Sequence, residues 1–190
     1  LGTAGSMTIA AAVGTSTPLL LDRLEIDSAG GRFCALFERP GDAAWPALID
    51  LSNRTCSALQ FINFWQDVRR DLLGLGRAYL PLAEAGIDAD TLIAMANRTP
   101  TEDDRVRYAR ILRPLVERTD SLMQSAAALP NLASPSLTRP LRLFQRAGLL
   151  VSSRIRVAGY DTLWRRPRVP RVRLAWMACA AVLEPVGRQP

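Results

Sequence analysis

Residues 56–77 read CSALQFINFWQDVRRDLLGLGR, and this stretch decides the fold. Gln60, Asn63, Asp67 and Asp71 recur at spacings of three, four and four. At roughly 100° per residue of helix, the four side chains fall within about 80° of one another and form a single polar stripe. Around the stripe stand Leu59, Phe61, Ile62, Phe64, Trp65, Val68, Leu72 and Leu73. A helix this apolar is buried, so the stripe carries two carboxylates into a core. Like charges one turn apart repel, and burying them without a partner costs several kcal/mol more. A bound cation is the least costly relief. The competing reading places Asp67 and Asp71 on a solvated face, neutralised by Arg69, Arg70 and Arg77. The amides and the aromatic flanks favour the first reading. A solvated face has no use for Phe61, Phe64 and Trp65 beside it, whereas a cavity for an apolar substrate with a charged head group does.

The composition narrows the chemistry. A chain of 190 residues with 48% hydrophobic content is enough for one domain with a sizeable core. All 24 basic residues are arginine and there is no histidine, which removes histidine bases, histidine metal sites and histidine pH switches. A metal here is expected on oxygen ligands, which favours magnesium or manganese over zinc. Cys34, Cys56 and Cys179 are widely spaced in apolar surroundings and read as reduced core cysteines of a cytosolic protein. The apolar stretch from Met7 to Leu21 has no basic residue ahead of it and is broken by Gly14 to Pro18, unlike a signal peptide. No run reaches the roughly 18 apolar residues that a membrane span needs. From Arg139 onward, 11 arginines face Asp161 and Glu184, a net +9, so the first 138 residues carry −3. This basic end, next to the apolar run Leu174 to Leu183, suits peripheral contact with an anionic inner-membrane surface; a solvated arginine face is the equal alternative.

The pattern along the chain is all-α. Residues 1–27 form an unmatched leader. A long helix is expected to start near Asp42 to Pro46, an acid cap with proline in the first turn, and to run to the glycines of LGLGR at Gly74 or Gly76. Pro81 can open a short helix that Gly86 stops, and Asp88 can cap the next one. Thr101 with Asp104 has the spacing of a capping box, before a helix continuing to Ala128 in which Pro114 predicts a kink. LPNLASPS, with Pro130 and Pro135, predicts a loop. A last helix over Leu137 to Trp164 places Leu141, Phe144, Leu149, Ile155 and Leu163 on one apolar face and ends before Pro167 and Pro170. No strand alternation, internal repeat or GxGxxG loop is present.

The run LQFINFWQDVRRDLLGLGRAYLP, residues 59–81, resembles the second aspartate-rich motif of the squalene and phytoene synthases, all-helical enzymes that join prenyl diphosphates head to head. The wording NFWQDV resembles the hopanoid-pathway branch called HpnC, or hydroxysqualene synthase. AGYDTLWRRPRV, residues 158–169, is similar to that family's C-terminal helix and its exit. The likeness spans about residues 28–175, with 176–190 a tail. It implies an isoprenoid-synthase-like helical bundle, a magnesium-dependent (or manganese-dependent) site, and a prenyl diphosphate substrate such as presqualene or farnesyl diphosphate. For the hydroxysqualene branch no nicotinamide is expected.

The resemblance makes Asp67 and Asp71 the metal ligands, with Gln60 and Asn63 ordering the site or bonding its waters. Arg70 and Arg77 are candidates for the diphosphate, because a guanidinium donates two parallel hydrogen bonds. Arg70 also sits three positions from Asp67, the spacing of an ion pair. An aromatic wall can stabilise a carbocation without attacking it, and among Phe61, Phe64, Trp65 and Tyr79 the choice falls on Phe64 as a lining residue and Tyr79 as its polar neighbour. One departure is large: no DxxxD or DxxED precedes Asp67, and Asp22 and Asp27 are five apart. The chain therefore resembles the C-terminal part of such a synthase, an incomplete bundle with one side of the metal cage. Two other readings stay open. One is a non-catalytic helical scaffold docked on a membrane or on a partner chain that supplies the missing helices. The other is an arginine-rich nucleic-acid-binding protein, which no reader motif supports.

Overall fold

Pro46 stands in the first turn of α1, Trp45–Gln66, where its missing N–H costs nothing. The computed structural model describes residues 45–170 together with 9–10, 18–19 and 172. Asp42, Cys34, Cys179, Ser28 to Arg32 and the apolar run Leu174 to Leu183 lie outside the described residues. Ile9–Ala10 and Pro18–Leu19 pair antiparallel as β1 and β2. All other described elements are helices.

The single helix expected through Gly74 is two segments, α1 and α2 (Val68–Leu75), meeting at Asp67. The hydrogen-bond ladder survives the bend: the Asp67 N–H reaches Asn63 O at 2.9 Å and the Asp71 N–H reaches Asp67 O at 3.0 Å. Gly76, with φ +63°, ends α2 in the left-handed conformation that favours glycine. Residues 82–86 are turns and not the short helix expected from Pro81. Asp88 caps α3 (Ala89–Ala96) by accepting the Thr91 N–H at 2.7 Å. The capping box of α4 (Glu102–Ser125) is complete: Thr101 Oγ1 accepts from Asp104 N–H at 3.2 Å, and Asp104 Oδ2 from Thr101 N–H at 2.9 Å.

α4 runs through Pro114 and stops three residues short of Ala128. LPNL forms a short helix, α5 (Leu129–Leu132), where a loop was expected, because a proline so near the start of a helix is compatible with it. α6 (Pro135–Val157) ends before Trp164, since Gly159 and Tyr160 both adopt positive φ, which no right-handed helix continues through.

α1 lies in the middle of the bundle and packs on α4 and α6. Trp65 is fully buried and donates Nε1–H to Thr119 Oγ1 at 2.9 Å. Leu72, Leu80, Leu92, Tyr108, Leu112, Val116, Ile155 and Leu163 complete the main core around it. Polar ties lock the surrounding helices. Ser152 of α6 donates to buried Asp120 of α4 at 2.5 Å, Arg156 pairs with the same carboxylate, and Tyr108 shares a buried 2.8 Å hydrogen bond with Thr162. Leu141 and Ile155 are core residues as expected, whereas Phe144 is 52% exposed. Phe144 stands beside a surface hollow and not in the core.

Gly148 sets the approach of α6 to α1. A Cβ there would stand 2.7 Å from Leu59 Cδ2, 3.1 Å from Met123 Cε and 3.3 Å from Ile62 Cδ1. Gly148→Ala gains about 1 kcal/mol of helix propensity but overpacks at a cost of about 1–3 kcal/mol. We expect a net loss of about 1 kcal/mol for Ala and a larger one for Val, read from urea unfolding; a stabilised Gly148→Val would contradict the packing. The Thr101 backbone N–H holds the Asp104 carboxyl below the usual carboxylate range. That stabilisation is complete above the unfolded carboxyl's pKa and is lost as pH falls through the lower folded value. Asp104→Asn is therefore expected to flatten the fall in stability below about pH 4, and an unchanged acid slope would argue against it.

Candidate functional site

The bend at Asp67 aims two acids at one side of the α1–α2 rod. Asp67 is 5% exposed and Asp71 4%, so neither lies on a solvated face. Both are nevertheless paired. The Arg70 guanidinium reaches Asp67 Oδ2 at 2.8 Å and Asp71 Oδ1 at 3.0 Å, spanning the two carboxylates from the surface. Arg166, which lies beyond α6, forks onto Asp67: Nε bonds Oδ1, and Nη2 lies 3.3 Å from Oδ2. The hydrogen bond to Asp71, and then the charge of Asp67, hold the Arg70 guanidinium still more firmly protonated.

Neighbouring bonds bring the distant Arg166 here. Gln66 Nε2 donates to Pro167 O at 2.7 Å, and Arg69 donates to the carbonyls of Ala96 and of Leu163. Asp161 anchors the same segment through a 2.5 Å ion pair with Arg105 of α4. Gln66, Asp67 and Arg69 thus hold residues 163–167 against the start of α2.

In front of Asp67 lies a hollow of about 410 Å³ lined by Gln66, Asp67, Arg69, Arg70, Leu73, Gly74 and Arg166; Asp71 does not border it. A second, of about 560 Å³, is lined by Leu59, Ile62, Asn63, Phe144, Ala147, Gly148 and Val151, with Arg168, Val169 and Pro170 beyond. Gln66 and Arg166 border both. A small hollow with four charged side chains thus adjoins a larger, mostly apolar one that Asn63, Gln66, Arg166 and Arg168 also border. Neither is enclosed by the described residues.

The expected site residues divide. Asp67 and Asp71 face the same guanidinium, Arg70 bridges them, and Asn63 is exposed on the apolar hollow. Gln60 is half-buried one turn earlier and borders neither of the two hollows. Arg77 is exposed just past the Gly76 cap, and its backbone N–H bonds Asp71 O at 2.9 Å. Phe64 and Tyr79 are together but not at either hollow: their rings stack at 4.0 Å and 11°, packed on the main core. Phe61 stacks on Trp65 in the same layer. Arg166 was missed, because 99 residues separate it from Asp67 and no spacing links them. The one signal was the arginine pair 165–166 in the AGYDTLWRRPRV run.

Two carboxylates one turn apart are oxygen donors that a hard divalent ion would take in place of their arginine partners. Magnesium is commonly held by one or two carboxylates, with waters and substrate phosphate completing its shell. No group of three or more acid, cysteine or histidine side chains gathers among the described residues, so Asp67 and Asp71 would supply the protein ligands alone. Asp67, Asp71, Arg69, Arg70 and Arg166 sum to +1. A divalent ion would raise the site to +3, suited to a diphosphate.

Comparison with known proteins gives the family. Residues 25–173 match the squalene/phytoene synthase family. Among solved structures, the squalene synthase HpnC from Alicyclobacillus acidocaldarius is 31% identical, with a TM-score of 0.58 over 71% of this chain and 48% of that one. The chain thus spans about half the length of that enzyme. A search of curated proteins finds no match.

Asp67 has two guanidinium partners and Asp71 one. In chelator-treated protein, Asp67→Asn is expected to lower unfolding stability by about 1–3 kcal/mol, and Asp71→Asn by less. Equal losses in urea melts would contradict the pairing.

Proposed function

Because the chain belongs to the squalene/phytoene synthase family, we propose that it binds a prenyl diphosphate and converts presqualene diphosphate to hydroxysqualene, releasing diphosphate. The observation that carries this reading is the pair of buried acids bridged by Arg70, with Asp67 lining a charged hollow that adjoins a larger, mostly apolar one. That arrangement suits a molecule with a pyrophosphate head and a hydrocarbon tail. Asp67 and Asp71 would hold magnesium, which supplies positive charge to the departing diphosphate.

The chain's own residues do the rest. Arg70, already spanning both acids and exposed to solvent, can turn a bidentate fork to phosphate oxygens. Arg77 is exposed just past the end of α2 and borders neither hollow. Asn63, exposed on the apolar hollow next to Asp67, can bond a water. Leu59, Ile62, Gly148 and Val151 offer the hydrocarbon a surface without nucleophiles. Loss of diphosphate breaks a carbon–oxygen bond and leaves a cation. Rearrangement followed by capture of one water, with release of a proton, yields the alcohol. Electrons balance without a reductant, so no nicotinamide is needed. The wording NFWQDV supports this branch, and the likeness to the squalene synthase HpnC supports the family as a whole.

Peripheral contact with a membrane would suit so apolar a product. No helix among the described residues is long and apolar enough to cross one.

Titration of farnesyl or presqualene diphosphate, with and without magnesium, tests the reading. Magnesium-dependent binding is expected, weakened at least about tenfold, or ~1.4 kcal/mol, when Asp67 and Asp71 are both changed to Asn. Undiminished affinity in that double variant would contradict it. Incubation with presqualene diphosphate should yield hydroxysqualene without a nicotinamide; a product formed only when one is added would point to the reductive branch.

A further inference from the structure

Arg166 holds the two Asp67 oxygens that a bound metal would draw on. Its guanidinium covers both oxygens of Asp67, and Arg70 covers the outer one again, so an entering cation meets a carboxylate already neutralised. Arg70 comes from the same turn of helix, as an ordinary pair three residues apart. Arg166 comes from a separate segment that Gln66 and Arg69 fasten in place, so its approach to Asp67 is built by the fold. About half of the Arg166 side chain is exposed, which leaves the guanidinium room to turn. It also borders both hollows.

We propose that Arg166 is a positioning residue that acts as the resident counter-ion of Asp67, yields the carboxylate to the divalent ion and transfers its fork to the diphosphate head group. This rests on the reading of Asp67 and Asp71 as metal ligands. Metal alone must displace the guanidinium without offering it a new partner. Metal with diphosphate displaces it and supplies one. Arg166 therefore opposes the first event and favours the second, so that the charged site is kept from filling with cation in the absence of substrate.

The two effects have opposite signs, and a merely structural arginine would loosen both. Binding of Mn²⁺ alone is measured by electron paramagnetic resonance on the full chain, followed by binding of inorganic diphosphate to the Mn²⁺-saturated protein. Arg166→Gln is expected to bind Mn²⁺ about tenfold more tightly and diphosphate about tenfold more weakly than the unaltered chain. Arg166→Lys, which keeps a point charge but loses the fork, should fall between. Circular dichroism checks that each variant is folded, and the Lys variant decides the question if the Gln variant does not fold. Unchanged or weaker Mn²⁺ binding overturns the counter-ion role, and undiminished diphosphate binding overturns the transfer. The Asp67→Asn/Asp71→Asn variant separates the two levels. If it binds Mn²⁺ as well as the unaltered chain, the metal-ligand reading itself fails; if it loses Mn²⁺ while Arg166→Gln gains nothing, only the role of Arg166 fails.

Discussion

Two carboxylates one helical turn apart and almost fully buried need positive charge beside them. The region around the site is organised by how this fold supplies that charge. One guanidinium, Arg70, comes from the same helix and spans both acids; the other, Arg166, comes from 99 residues away. Bringing Arg166 there requires α6 to end where it does, at the left-handed Gly159 and Tyr160, so that the chain can turn back toward the bend in α1–α2. Gln66 and Arg69, on either side of Asp67, then bond the backbone of the returning segment. The same few residues close the core and assemble the site.

The charge arrangement is exchangeable. Arginine side chains that are half exposed hold buried acids, so the acids are fixed while their partners can move. A permanent structural ion pair gains nothing from this asymmetry, whereas a site that must accept a cation and an anion together does. The rigid partner is the helix itself: Trp65, fully buried two residues before Asp67, is pinned to Thr119, and Gly148 lets α6 press against Leu59 and Ile62. Acids carried by so well packed a rod are preorganised, and the apolar hollow beside them extends along the same helix.

Local chemistry made much of this legible in the sequence. The capping box at Thr101 and the cap at Asp88 are short-range hydrogen-bond patterns that a few residues specify completely. The polar stripe on an apolar helix placed both acids out of solvent, and the three-residue spacing placed Arg70 on Asp67. What escaped depended on contacts between distant segments or on backbone choices that residue type does not dictate. Arg166 is one such contact. The early end of α6 turns on Tyr160 accepting a positive φ, which its side chain does not advertise. Phe144 belongs by periodicity to the apolar face of α6 but stands exposed beside a hollow, and Phe64 and Tyr79 prefer each other's faces to the site. Helical periodicity identifies apolar residues; it does not say whether they meet a neighbouring helix or border a cavity.

The most direct test of the account is a crystal structure of the chain grown with Mn²⁺ and inorganic diphosphate, with data collected at the manganese absorption edge. The account predicts an anomalous peak within coordination distance of Asp67 and Asp71, with the Arg166 guanidinium turned off Asp67 and onto a phosphate oxygen. Manganese bound elsewhere, or Arg166 still forked on Asp67 beside a bound diphosphate, would contradict it.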